Sequence, residues 1–455
     1  MNLAITLLKN ASYLRGKHDL LLSIQKAQTA ITKVRKSSSK ILQKVAQSMA
    51  EVRGRPLFYP AIFSGLGKGP LVELEDGSVK YDFITGIGTH FFGHSDLDLI
   101  DVGLQAASQN VVMQGHLQVS SPYLTFSKQL LKLAGPPFKY VWLALSGTMA
   151  NENALKLIRH KKSPAYKVIA FQNCFHGRSV MMADITDNQG FKKGLYNHKT
   201  AYYVPFFNPK DPQRSIRESL ETLRSILKDH PSEIAGFIFE LVQGEGGFTP
   251  APREFFIPLM ELCKTENIAV WVDEVQTVGR TGELFAFQKL NLSQYVDIVT
   301  VGKMLQNCAT LYREELNPDP GLLAGTFSGS TVSLSVGTRI LTRLQKETFF
   351  GPNGKISKLE TWAKKGLEGL QQKYGESVIS EISGVGAMVA FQFRDGNLEQ
   401  TKKLVLQAFE EGVMLFYCGR GPYKIRFLLP AGCLTQTQYQ GGLKYVEKAI
   451  QKILK

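Results

Sequence analysis

Two ionisable residues dominate the chemistry open to this sequence. Asp273 stands in Trp271-Val-Asp-Glu-Val-Gln276 behind an apolar run, and Lys303 closes Val301-Gly-Lys303 thirty residues later. A carboxylate behind a buried strand needs a cation nearby, because desolvation penalises its charge. A lysine in the same surroundings loses basicity and becomes a nucleophile. If the two converge at neighbouring strand ends, two readings are open. One is a structural ion pair. The other is a pyridoxal phosphate site, in which the lysine forms the Schiff base and the acid keeps the pyridine nitrogen protonated.

The second reading asks for a phosphate cradle, a stacking face and a grip for carboxylates. Ser146-Gly147-Thr148 lies between an apolar run and a helical pattern, where backbone N–H groups and the helix dipole attract an anion. Taken alone, such a turn is most often only a cap. Gly325-Thr326-Phe327-Ser328-Gly329 offers a second phosphate contact. Phe175-His176-Gly177-Arg178 brings an aromatic face and a guanidinium, and Arg178 can hold a carboxylate through two parallel hydrogen bonds. Core packing for Phe175 and a surface pair for Arg178 are the plainer alternatives. His90 and His94 sit among Gly88 and Gly93 without a third ligand, so a zinc site is not expected. His176 is expected to order the cofactor loop. No G-x-S-x-G elbow marks a hydrolase.

These residues need a scaffold that gathers them. Residues 139–145, 167–171, 234–239, 268–272 and 296–301 read as buried strands. Helical patterns over 149–159, up to about Lys228 and over 255–265 alternate with them. That alternation predicts an α/β fold with a mostly parallel sheet covered on both faces. Ligands of such sheets bind beyond the carboxyl ends of strands. Ser-Gly-Thr, Phe-His-Gly-Arg, Glu240, Asp273 and Lys303 follow successive strands, which predicts one pocket. Residues 340–455 read as a separate α+β lobe, with strands at 391–393, 414–416 and 425–428 and a glycine-interrupted strand at 384–390. The expected organisation is a basic extension over 1–50, the first part of a small domain over 51–95, a large cofactor-binding α/β domain over 96–335 and a C-terminal α+β small domain over 336–455.

Composition bounds the rest. The chain has 455 residues, 44% of them hydrophobic and 20% charged, which allows a large core and excludes general disorder. No apolar run reaches the roughly eighteen residues that a bilayer-spanning helix needs. The five cysteines form no C-x-x-C pair, so a reducing compartment is expected, the cytoplasm in the simplest case. Residues 1–50 hold nine Lys/Arg against one acid, Asp19, and supply much of the net charge of +15. Such a segment suits organellar targeting or a basic surface helix. Its only aromatic is Tyr13, so a platform for stacking nucleic-acid bases is not expected.

The run Asp273-Glu-Val-Gln-Thr-Val-Gly-Arg-Thr-Gly282, continued to Lys303, closely resembles the class III aminotransferases, fold-type I pyridoxal phosphate enzymes. The resemblance spans about residues 50–455. It is carried also by Ser146-Gly-Thr-Met-Ala-Asn-Glu-Asn-Ala-Leu-Lys-Leu157, Phe175-His-Gly-Arg-Ser179, Glu240-Leu-Val-Gln-Gly-Glu-Gly-Gly247 and Ile425-Arg-Phe427. It implies that Lys303 carries the cofactor and shuttles the reacting proton, and that Asp273 pairs with the pyridinium nitrogen. Gln276 would bond the ring hydroxyl, and Val275 would back the ring opposite Phe175. Ser146, Gly147 and Thr148 would hold the phosphate, and Thr326 would reach the partner's phosphate across a homodimer. Glu245 would mask Arg426 for a terminal-amine donor and release it for the α-carboxylate of glutamate or 2-oxoglutarate, while Arg178 would take a distant carboxylate.

Three positions depart from the family pattern: Met149 in place of an acid, Leu241 in place of proline, and Ser328-Gly329-Ser330 in place of Gly-Gly-Asn. None removes a reacting group. Gln306 and Cys308 match the lysine 6-aminotransferase pattern, which favours an unacylated ω-amine donor such as lysine, ornithine or 4-aminobutyrate. The alternatives are an acetylornithine-type aminotransferase, an aminomutase on the same fold and, more remotely, a non-catalytic basic binding protein.

Overall fold

The apolar runs fold as the strands of one sheet. The structure is a computed structural model that describes residues 2–59 and 61–455. Seven strands form the sheet: β1 (Tyr140–Ala144), β2 (Lys167–Phe171), β3 (Ala201–Val204), β4 (Ile234–Phe239), β5 (Ala269–Asp273), β6 (Ile298–Val301) and β7 (Cys308–Tyr312). Their spatial order is β1-β7-β6-β5-β4-β2-β3. Strands β2 to β6 pair in parallel, and β7 runs antiparallel to both its neighbours. Every residue of β4, β5, β6 and β7 is buried, as expected for a sheet covered on both faces. Successive side chains point to opposite sides. Phe237, Val270 and Val299 therefore join one core, and Ile238, Trp271 and Ile298 the other.

Two strands lie outside the sequence expectation. β3 is an edge strand with three half-exposed residues, so it lacks a continuous apolar signal. β7 follows β6 after only the short 3-10 turn Lys303–Leu305. A connection that short cannot make a parallel crossover. The chain reverses, and Lys303 sits in the bend. The helix expected over 149–159 begins earlier and spans Gly147–Lys162, so the Ser-Gly-Thr turn is its N-terminus.

The second lobe contains an antiparallel sheet in the order Ile379–Val385, Met388–Phe393, Lys424–Leu428, Phe416–Cys418. The glycine-interrupted strand expected at 384–390 is corrected to a hairpin. Gly386 turns at φ +61°, and a Cβ there would lie 1.9 Å from the Arg280 carbonyl oxygen. Strands Phe63–Lys68, Leu71–Leu74 and Val79–Asp82 pair antiparallel, and Val413–Met414 joins them in parallel. The chain's early strands and its C-terminal part thus share one sheet.

Much of the basic N-terminal segment is docked on this body. It forms helices Leu3–Leu8, Ala11–Gln28 and Ile41–Arg53. Gln28 Nε2 donates to the carbonyls of Gly67 and Ser95, each at 2.7 Å. Lys17 meets Asp101 at 2.5 Å, and Ile31 is buried against Leu71 and Val79. No helix among the described residues is long and apolar enough to cross a membrane.

Candidate active site

Asp273 ends β5, inside the sheet, and is held by three donors. Its Oδ2 accepts from Asn151 Nδ2 and faces His176 Nδ1, both at 2.8 Å. Its Oδ1 accepts from the Val275 N–H at 3.0 Å. The Asn151 amide has one orientation available. Thr300 Oγ1, on β6, donates to Asn151 Oδ1 at 2.6 Å, while Nδ2 also donates to the His176 carbonyl at 2.8 Å. Burial lowers the His176 pKa, but Cys174 and the hydrogen-bonded Asp273 raise it by more, to about 10. The imidazole hydrogen-bonds a buried carboxylate, which unpaired would cost several kcal/mol (about 3–5).

Lys303 is half-buried at the β6–β7 bend with φ +47°. Burial first, then Arg426 and Arg280, lower its pKa to about 8 against the opposing pull of Glu245 and Asp273. Lys303 and Asp273 line one cavity of about 240 Å³ together with Gly147, Thr148, Phe175, Val275, Gln276 and Glu245. Ser146 stands just behind its wall, where its Oγ caps the helix by accepting from Met149 N at 3.2 Å. The first N–H groups of a helix have no intrahelical acceptor, and here Gly147 and Thr148 present theirs beside the cavity. A Cβ on Gly147 would lie 2.6 Å from Val275 Cγ1, so only glycine allows that approach. Gln276 Oε1 is buried without a hydrogen-bond partner.

The far wall carries the second ion pair. Arg426 Nη1 lies 2.7 Å from Glu245 Oε1, with the arginine side chain 1% exposed and the glutamate 30%. The guanidinium rests between Phe416 at 5.4 Å and Phe248 at 5.8 Å, and its Nε has no hydrogen-bond partner. Besides Ser146 and Arg426, which do not themselves line the cavity, two expected residues lie away from it. Arg178 is exposed, with its guanidinium 3.8 Å over the Phe191 ring. Thr326 is exposed on a loop that packs against Gly115, whose Cβ would lie 2.1 Å from the Thr326 carbonyl oxygen.

Residues 51–450 match the family described as aminotransferase class-III. The chain belongs to the class-III aminotransferases. It is 30% identical to the acetylornithine aminotransferase of Aquifex aeolicus over 375 residues, covering 80% of this chain and 90% of that protein. It is 28% identical to the 5-aminovalerate aminotransferase of Pseudomonas putida, covering 88% of this chain and 96% of that protein. In fold it is similar to the lysine aminotransferase of M. tuberculosis, solved in its internal aldimine form. That likeness has a TM-score of 0.80 at 21% identity and covers 90% of this chain and 99% of the other.

Class-III aminotransferases depend on pyridoxal phosphate, and this aminotransferase has a site that fits it. The fit rests on the unpartnered Gln276 oxygen, the glycine cradle against Val275 and the free helix N-terminus beside the half-buried lysine.

Sequence reasoning missed the roles of Asn151 and Thr300, and placed Glu240 at the pocket without a role. Asn151 and Thr300 orient Asp273. Glu240 accepts from the N–H groups of Phe175 at 3.1 Å and Gly244 at 2.8 Å, and burial raises its pKa to about 7. One signal was available: Asn151 lies four residues after Gly147, on the same helix face.

Proposed function

We propose that this aminotransferase takes a terminal amino group from a lysine-, ornithine- or 4-aminobutyrate-like donor and passes it to 2-oxoglutarate in two alternating half-reactions. The observation that carries this reading is the 2.7 Å contact of Glu245 with Arg426, beside the cavity that Lys303 lines. A terminal-amine donor has no carboxylate next to its amine, so Glu245 stays on Arg426 while that donor reacts. Glutamate and 2-oxoglutarate carry a carboxylate there, which replaces Glu245 on Arg426. One ion-pair contact is exchanged for a charge-assisted hydrogen bond of about 1.5–3 kcal/mol, so a single pocket serves both substrates. Arg178, free to swing at the rim, takes the distant carboxylate.

Pyridoxal phosphate, when bound, supplies a ring that withdraws electrons from the substrate carbon. Lys303 holds the cofactor between turnovers and moves the proton at the reacting carbon. Its lowered basicity suits proton transfer near neutrality. Asp273, aimed by Asn151 and His176, keeps the proton on the ring nitrogen. Gln276 bonds the ring hydroxyl, and Phe175 and Val275 enclose the ring. Ser146, Gly147 and Thr148 hold the phosphate.

Thr326 completes the phosphate site of a second copy in a homodimer. The exposed apolar side chains around its loop support this: Leu117 is 100% exposed and Phe327 55%, and such side chains gathered together mark interaction surfaces. Residues 96–335 form the large lobe, with 51–95 and 336–455 as the small one. The five free cysteines suit a reducing compartment such as the cytoplasm.

Similarity to acetylornithine aminotransferases favours a second reading, an acylated donor. A donor panel with 2-oxoglutarate separates the two, with glutamate as the readout. Fastest turnover of lysine, ornithine, 4-aminobutyrate or 5-aminovalerate supports the first reading. Use of N-acetylornithine alone supports the second. No glutamate from any donor rejects both, and amine migration without 2-oxoglutarate would indicate an aminomutase.

A further inference from the structure

The Gly-Arg-Thr-Gly tail of the Asp273 motif contains a cation that the proposed chemistry does not use. Arg280 is 0% exposed. Among the described residues no carboxylate pairs with it, and burial alone pulls its pKa down to about 9. Its guanidinium serves main-chain carbonyls instead. Nη2 donates to Gly88 O, and Nη1 reaches Val278 O at 3.5 Å. Its Nε has no partner, and the Phe91 ring lies 5.7 Å away. A buried guanidinium with so little compensation is costly.

The segment it grips is unusual in its own right. Thr85, Gly86, Ile87 and Gly88 all have positive φ, at 51°, 62°, 59° and 86°. Two of these four are β-branched, for which the left-handed region is strained. Such a turn persists only where its surroundings over-determine it. Its other attachments lead to the two walls of the active site. Thr85 Oγ1 donates to Leu428 O at 2.8 Å, at the end of the strand that carries Arg426. Gln306 Nε2, three residues after Lys303, donates to Thr89 O at 3.0 Å. A Cβ on Gly88 would lie 3.3 Å from Arg280 Nη2 and 3.5 Å from Leu428 Cδ1. The main chain of Arg280 adds a third tie, since its carbonyl accepts from Ala387 N at 2.9 Å in the Gly386 hairpin.

We propose that Arg280 is a positioning residue: it clamps the left-handed turn Thr85–Gly88 against the segment that follows Asp273, and so fixes the Arg426 strand relative to Lys303. Phosphate and carboxylate chemistry do not enter, because the side chain is sealed from the cavity. Its effect on substrate is carried by Leu428 to Arg426.

Amide hydrogen exchange tests the clamp without turnover. In the parent apoprotein the amides of Gly88, Thr89 and His90, which bond back to Ile84 and Thr85, should exchange as slowly as those of the buried β-sheet. Fast exchange there overturns the proposal before any variant is made. In Arg280→Met these amides should exchange about tenfold faster, and KM for 2-oxoglutarate should rise about tenfold with a smaller change in kcat. Arg280→Lys keeps one donor and should restore part of both. Unchanged exchange and unchanged KM in a folded Arg280→Met protein overturn the clamp, as does a lysine variant no better than the methionine one. The kinetic arm rests on the proposed use of 2-oxoglutarate. The exchange arm does not, so a failure of that reading leaves the clamp separately testable.

Discussion

Two of the three carboxylates that line the cavity of this aminotransferase are held in opposite ways. Asp273 ends a buried strand and is bonded by Asn151, His176 and the Val275 N–H. Glu245 sits on a loop, remains 30% exposed and meets one partner, Arg426. The first is aimed by three donors. The second gives up a single contact when it moves. Preorganised groups cost nothing to reorganise at the moment of reaction, which suits an acid that must serve one ring nitrogen throughout. A group that must yield to an incoming carboxylate needs few bonds and open space. The site thus joins a rigid half, built on the sheet, to an adjustable half shared with the second lobe.

Substitutions on each side break or sharpen this contrast. The largest loss should come from Lys303→Ala, which removes the proposed proton carrier of the rigid half. Transamination should fall by about 10⁴-fold in a coupled glutamate assay. Asp273→Asn should follow, at about 10²–10³-fold in kcat, because the replacement cannot stabilise positive charge at the ring nitrogen. Asn151→Ala leaves the carboxylate in place but unaimed. A loss of about 10–100-fold is expected, as for other outer partners that orient a reacting group. If Asn151→Ala cost nothing, the hydrogen-bond network would not be what fixes Asp273. Glu245→Ala should slow the terminal-amine half-reaction about tenfold and the glutamate half less, measured in separate single turnovers. Equal losses in both halves would mean that Glu245 is as fixed as Asp273.

The smallest effect concerns pH. The Lys303 pKa lies at about 8 in the native protein, below the ordinary 10.5. Between those values the unfolded state binds more protons than the native one, so this lysine makes stability rise with pH across that window. Denaturant titrations of the apoprotein should show the slope, and Lys303→Met should remove it.

Much of the rigid half could be read along the chain. The strands β2, β4, β5 and β6 stand out because parallel strands buried on both faces leave unbroken apolar runs. The reacting residues follow them directly, so strand ends and chemistry are found together. β7 escaped because nothing local distinguishes Cys308–Tyr312 from the tail of a βα loop; its pairing with β1 across the sheet makes it a strand. The expected strand over 384–390 erred for a related reason. Glycine in an apolar run can mark a weak strand or a turn, and only the neighbouring Arg280 carbonyl decides for the turn. The role of Glu240 was also unreadable, because one of its two acceptor bonds goes to the Phe175 backbone, 65 positions away.

The order of the residues along the chain determined the cofactor-binding half: which strands are buried, which side chains end them and which family they mark. Short-range physics suffices there, since hydrophobic periodicity and strand ends are local properties. Tertiary structure alone decided how the adjustable half meets it. Arg280 grips a carbonyl 192 positions away, and Thr85 bonds one 343 positions away. Contacts over such separations leave no pattern in the intervening residues, because they form only where the folded lobes bring their surfaces together.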